Sequence, residues 1–152
     1  MLAVRREQHS AAWQAFEEDF CRILPEFAGL EMRAVGDDRV ELVARLVGGE
    51  ERIAADSLSQ GTLYLLATLA LAHDPQPPSV VCLEEADRGV HPRMLREVRD
   101  ALYRLSYPQD AGLERAPAQV ITTTHSPYLL DLFKEHPEEV VLASKAGNAA
   151  TF

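Results

Sequence analysis

The chain has 152 residues, a formal charge of −9 at pH 7, 47% hydrophobic and 26% charged residues. That length suits a single domain with a real core, and the composition is that of a soluble globular protein, not of a disordered segment. The acidic balance excludes a surface that is basic throughout, as a general phosphate-binding field would be.

The first predicted element is an amphipathic helix over residues 4–24, where Trp13, Phe16, Phe20 and Ile23-Leu24 recur at helical spacing. Pro25 ends it. Residues 30–35 and 39–47 read as two β runs joined by the turn Gly36-Asp37-Asp38, a hairpin closed off by Gly48-Gly49. Ser57-Leu58-Ser59-Gln60-Gly61 is a small-residue loop, and residues 62–73 form a helix apolar all round, which predicts burial. The connector Asp74-Pro75-Gln76-Pro77-Pro78 leads into residues 79–83, short and uniformly apolar, like a strand covered on both faces. Glu84-Glu85 ends that run. A loop over 86–91 precedes Pro92, which opens a helix to about residue 106 with Leu95, Val98, Leu102 and Leu105 on one side. Arg93, Arg96, Arg99 and Arg104 in this stretch read as its solvated face. A second β run covers 119–124. Ser126-Pro127 follow as N-cap and first turn of a helix to about 133, and 139–143 reads as a last strand before the turn Gly147-Asn148. The second half thus predicts an α/β fold with a parallel sheet flanked by helices.

Cys21 and Cys82 show no metal or disulfide spacing, and Cys82 lies in an apolar run where a thiol behaves as a small hydrophobe. The start of the chain has no apolar core of signal-peptide length. Residues 63–72, the longest apolar stretch, are about half of a membrane span. A cytoplasmic protein with no membrane partner is expected.

In a parallel sheet the ligand sits at the carboxyl ends of the strands. Glu84 and Glu85 fall at one such end, where two carboxylates are costly unless a positive group such as a metal ion meets them. Adjacent strand residues point opposite ways, so the two differ in their work. An exposed or helix-capping acidic pair is the plain alternative. His125 falls at the second strand end, where it also reads as a structural histidine. The Ser57–Gly61 stretch offers hydroxyls and free amides at a helix start, as a phosphate would require.

Taken in order, these pieces resemble the ABC-type ATPases of the SMC, RecF and OLD group, including bacterial AAA-like proteins with the same head. Leu58-Ser59-Gln60-Gly61-Thr62 is similar to their signature motif, and Val80-Val81-Cys82-Leu83-Glu84-Glu85 to Walker B with the catalytic acid. Ala86-Asp87-Arg88-Gly89-Val90-His91-Pro92 is similar to the D-loop, with Ala86 for the usual proline and Asp87-Arg88 for Glu-Asn. Thr123-Thr124-His125-Ser126-Pro127 is similar to the switch region. The likeness covers about residues 56–143 of one domain over 1–152, with 1–55 as the helix and hairpin leading in. It implies the C-terminal part of a P-loop NTPase head that uses ATP and Mg²⁺. Glu84 would hold Mg²⁺, Glu85 would position the attacking water, and His125 would contact the γ-phosphate. Ser59, Gln60 and Gly61 would meet nucleotide held by the opposite protomer, with Asp87 at the dimer seam. The implied partners are a second head, joined through ATP, and, by family analogy alone, DNA.

The loop G-x-x-x-x-G-K-[ST] is absent: the only lysines are Lys134 and Lys145, and neither follows a glycine. A piece of a longer ATPase, one half of a split ATPase and a degenerate remnant all fit that absence. Retention of Glu84, Glu85, Ser59 and His125 argues against the remnant. The expected chemistry is ATP hydrolysis with a Walker A half, in the same or another chain, and none by this chain alone. The alternative is a non-catalytic module that pairs with a complete head.

Overall fold

Trp13, Phe16, Phe20 and Leu24 are all buried, so the helix they mark, α1 (Ser10–Ile23), turns its aromatic face inward. The computed structural model describes residues 10–36, 39–146 and 149–151. The expected start of α1 at 4–9, Asp37-Asp38 of the hairpin turn and Gly147-Asn148 of the last turn lie outside them. The expected hairpin forms from β1 (Phe27–Val35) and β2 (Arg39–Leu46), antiparallel, with Leu30 opposite Ala44 and Val35 opposite Arg39. β1 starts earlier than its apolar pattern predicts, with a register shift between Phe27 and Gly29. A third strand, β3 (Arg52–Ala54), pairs with β2 across the Gly48-Gly49 turn. Three residues are too few to show alternation, so nothing in the sequence announced it.

α2 (Gln60–Ala72) is followed by β4 (Val80–Leu83), α3 (Leu95–Ser106), β5 (Gln119–Thr122) and the short α4 (Pro127–Asp131). β4 and β5 pair in parallel, with Val81 beside Val120 and Leu83 beside Thr122. α3 buries Leu95, Val98, Ala101, Leu102 and Leu105, the stripe its periodicity predicts. Arg115 ties the connection: its Nη2 donates to Ala72 O (3.0 Å) and Arg104 O (2.9 Å), placing a cation at the C-terminal ends of α2 and α3. One core joins Phe20, Leu30 and Ala44 from the first part of the chain to Leu65, Leu69, Val81, Leu105 and Leu129 from the second. The leading helix and sheet are therefore packed into the rest of the chain and not appended to it.

Two expectations fail. The sheet is covered on one face only among the described residues: Val81 is buried, but Val80 and Ile121 are each 50% exposed and Cys82 is exposed with them. Along α2, Leu63 and Ala67 are exposed too, beside a groove of about 420 Å³ that reaches Cys82 and Leu83. An apolar run records that a face is meant to be covered, but not which segment covers it. The strand expected at 139–143 is also missing. Glu139 instead closes a 3-10 turn (Pro137–Glu139), where its carboxylate accepts the hydroxyls of Tyr103 (2.7 Å) and Tyr107 (3.0 Å). Val141 and Leu142 stay 71% and 77% exposed. An extended run becomes a strand only when a neighbouring edge pairs its amides, and no described strand does so here. The chain goes on to a small antiparallel pair, β6 (Ser144–Ala146) and β7 (Ala149–Thr151).

Candidate functional site

The site grows from the carboxyl ends of β4 and β5. The parallel ladder runs one step past the strands, where Thr123 N–H donates to Leu83 O (3.0 Å) and the Thr122 hydroxyl reaches the same oxygen (3.1 Å). The chain then turns sharply at Glu84-Glu85. Glu84 is exposed, and its backbone carbonyl accepts the hydroxyl of Tyr64 from α2 at 2.9 Å. Glu85 is half-buried and has φ 48°, the sole non-glycine with positive φ among the described residues. For an L-residue that conformation costs about 1–2 kcal/mol, and such outliers gather at functional sites.

The turn is held by the other strand end. Glu85 N–H donates to Thr123 Oγ1 (3.0 Å) and Ala86 N–H to Thr123 O (3.2 Å). The departure at Ala86 has a local reason in this chain: its side chain is buried, and a proline would lack the amide that reaches Thr123. Asp87, half-buried, accepts the hydroxyl of Thr124, and that hydroxyl in turn accepts Ser126 N–H (3.0 Å). His125 sits exposed between these two bonded residues. Ser126 caps α4 through Leu129 N–H (3.4 Å). Arg88 lies 3.7 Å from the Glu85 carboxylate, with the Arg88 side chain open to solvent and that of Glu85 partly so, a pair that contributes little by itself. Glu84, Glu85, Asp87 and His125 thus share one edge of the sheet.

The loop at Ser59 reaches this edge through its glycine. Ser59 is exposed and caps α2, accepting Thr62 N–H at 3.1 Å with its Oγ 2.8 Å from Thr62 Oγ1. Gln60 is exposed, whereas Gly61 is buried against the loop after Glu85. A Cβ at Gly61 would stand 2.0 Å from Gly89 O and 2.7 Å from its carbon, so only glycine admits this approach of two backbones. The Tyr64, Gly89, Thr123 and Thr124 contacts escaped the sequence reading. The run of threonines before His125 was visible, but the partners their hydroxyls find at the end of β4 lie 37 to 39 residues away.

Among the described residues no group of three or more His, Cys, Asp or Glu side chains converges as a metal shell. Two carboxylates at a strand end still fit Mg²⁺, a hard cation commonly held by one or two carboxylates plus substrate phosphates and water. Exposed Glu84 has oxygen donors of the right class for this. No described helix is long and apolar enough to cross a membrane.

A family model described as "AAA domain, putative AbiEii toxin, Type IV TA system" matches residues 4–131. No curated protein matches the sequence. A solved chain described as "Structural biochemistry of ATP-driven dimerization and DNA stimulated activation of SMC ATPases" is similar, with a TM-score of 0.65 and 14% identity. That match covers 98% of this chain and 86% of the other. An SmcHead solved bound to the C-winged helix domain of ScpA is similar with a TM-score of 0.58 and 15% identity, over 85% of this chain and 38% of the other. At such identities the likeness is one of fold.

Proposed function

The chain belongs to this AAA-domain family, and we propose that it supplies the hydrolytic half of a dimerising ATPase head. The observation that supports this most is the stitching of the Glu84–Asp87 turn to the Thr123–Ser126 turn at adjacent parallel strand ends. Glu84 would hold Mg²⁺, which when bound neutralises charge on the phosphates. Glu85 would position and polarise the attacking water, and His125 would donate to the γ-phosphate. Ser59 and the amide of Gly61 would meet nucleotide held by the opposite protomer, with Gln60 beside them and Asp87 near the seam. Capping uses one lone pair of the Ser59 oxygen, and with Thr62 as the donor of the 2.8 Å hydroxyl pair the Ser59 proton is free for a phosphate.

The phosphate-cradling loop would come from a Walker A segment, in the same or another polypeptide, seated on the bare face of Val80, Cys82 and Ile121. Exposed apolar area of this kind, edged by α2, marks a surface meant to be covered. Service in DNA maintenance or defence rests on family analogy alone.

The test has two arms. Alone, the chain should give no calorimetric ATP binding at micromolar concentration, because the missing contacts are several charge-assisted hydrogen bonds of about 1.5–3 kcal/mol each. Combined with a segment carrying the loop, it should hydrolyse ATP, and Glu85→Gln should lower that rate by about 100-fold or more while ATP-held dimers accumulate in sedimentation. Tight ATP binding by the chain alone would overturn the composite site. A complex that binds ATP and never hydrolyses it would make this chain an interaction module.

A further inference from the structure

We infer that Thr123 and Thr124 are positioning residues: Thr123 fixes the backbone that presents Glu85, and Thr124 locks Asp87 to the turn that carries His125. The inference rests on the ATPase reading above, and it gives two side chains outside the proposed ligand set a task in that site.

Thr123 is exposed, so core packing does not account for it. Yet three of its polar atoms close on the exit of β4. Its N–H donates to Leu83 O at 3.0 Å, its Oγ1 accepts Glu85 N–H at 3.0 Å, and its carbonyl accepts Ala86 N–H at 3.2 Å. These contacts bracket the residue whose φ is 48°. A left-handed glutamate persists only where its surroundings over-determine the backbone, and here both amides that follow Glu84 end on one threonine. Of the three contacts, only the hydroxyl bond belongs to the side chain and can be removed by substitution.

Thr124 does the complementary work. Asp87, as a carboxylate, only accepts, so the Thr124 hydroxyl is the donor between them, and it also accepts Ser126 N–H. With donor and acceptor both engaged, that hydroxyl has one rotameric solution, and His125 hangs between two pinned neighbours. Any displacement of the Asp87 loop is therefore passed to the His125 turn, and the carboxylate and imidazole of the site move together.

Amide exchange on the chain itself and kinetics on the complex with a Walker A segment test this together. Thr123→Val keeps the shape and removes the hydroxyl, while Thr123→Ser keeps the hydroxyl. Thr123→Val should speed exchange at the Glu85 amide and lower kcat by about tenfold each, the factor that one net hydrogen bond is worth. KM for ATP should stay within about twofold, since the phosphate contacts are untouched. Thr123→Ser should restore both readouts. For the second latch, Thr124→Val and Asp87→Ala, each of which removes the bond, should each lower kcat, and the double variant should fall no further than the worse single one. Unchanged Glu85 exchange in Thr123→Val, or unchanged kcat where Glu85→Gln abolishes hydrolysis, would overturn the role of Thr123. Additive losses in the double variant would overturn the Asp87–Thr124 latch. If Glu85→Gln itself leaves hydrolysis intact, Glu85 is not the residue that positions the water, and the exchange result alone decides whether Thr123 holds Glu85; a complex that never hydrolyses ATP is what sinks the ATPase reading.

Discussion

Gly61→Ala sets two physical effects against each other, and the structure decides the sign. Gly61 lies in the first turn of α2 and has no positive φ, so alanine fits its backbone. Helix propensity alone then predicts a gain of up to about 1 kcal/mol. The added methyl, however, would lie 2.0 Å from Gly89 O and 2.7 Å from Gly89 C, both backbone atoms that cannot swing aside as a side-chain tip would. Real Cβ contacts almost never fall below 3.0 Å, so one of the two backbones must retreat by about 1 Å. Overpacking of this kind typically costs about 1–3 kcal/mol, and a backbone clash belongs at the upper end. We expect a net loss of roughly 1–2 kcal/mol after the propensity gain, hence a fall in Tm of about 3–8 °C for a chain of this size. Thermal denaturation followed by circular dichroism measures it. Gly49→Ala is the control, because its Cβ would meet only Glu51 N at 3.6 Å without a positive φ. A Tm equal to or above that of the wild type would refute the reasoning and show that the Gly89 loop yields freely.

Glu85→Gly removes the left-handed strain of about 1–2 kcal/mol but adds unfolded-chain entropy of about 0.5–1 kcal/mol, so Tm should hold or rise by about 1–3 °C. The same variant should abolish hydrolysis in the complete ATPase, and a marked drop in Tm would sink the strain argument. Burial, then the Arg104 charge, holds His73 below its ordinary pKa, against the pull of its 2.8 Å bond to Asp19, so at pH 7 and above the pair is chiefly a hydrogen bond from a neutral imidazole. A lowered folded value means that its contribution is present above the unfolded pKa of about 6.5 and lost as pH falls below it, so Tm measured from pH 7.5 to about 5 should decline more in the wild type than in His73→Gln. Equal slopes would exclude His73 as the source. Burial, then the bond to Glu139, pushes the Tyr103 phenol up to about 12, so its contribution is present below the ordinary value of about 10 and lost as pH rises through about 12. Phenolate absorbance should show this late ionisation, and Glu139→Gln should move it earlier; an unmoved titration would mean that Glu139 does not hold the phenol.

Much of the α/β order was readable, and the reason is local. The spacing of Trp13, Phe16 and Phe20 and of Leu95, Val98, Leu102 and Leu105 reports which helix face is apolar, and each of those residues is indeed buried. The abrupt change from Val80-Val81-Cys82-Leu83 to Glu84-Glu85 marks a strand end wherever it occurs, because an apolar ladder cannot carry adjacent carboxylates inward. By contrast, the last strand was misplaced because Val140-Val141-Leu142 has the composition of a strand while its pairing depends on an edge that composition does not record.

The limits of the site follow the same line. The sequence by itself determined the chemistry available at each position: carboxylates at 84, 85 and 87, a hydroxyl at 59, a glycine at 61 and an imidazole at 125, in an order that resembles one ATPase head. Tertiary structure alone decided how these groups are held. The parallel register of β4 with β5 sets Leu83 beside Thr122, and that places Thr123 against Glu85 and Thr124 against Asp87. It alone packed Gly61 onto Gly89 and left one face of the sheet uncovered among the described residues. Residue type fixes what an atom can donate or accept, whereas partners some 28 to 38 residues apart are chosen by packing the whole chain around one core.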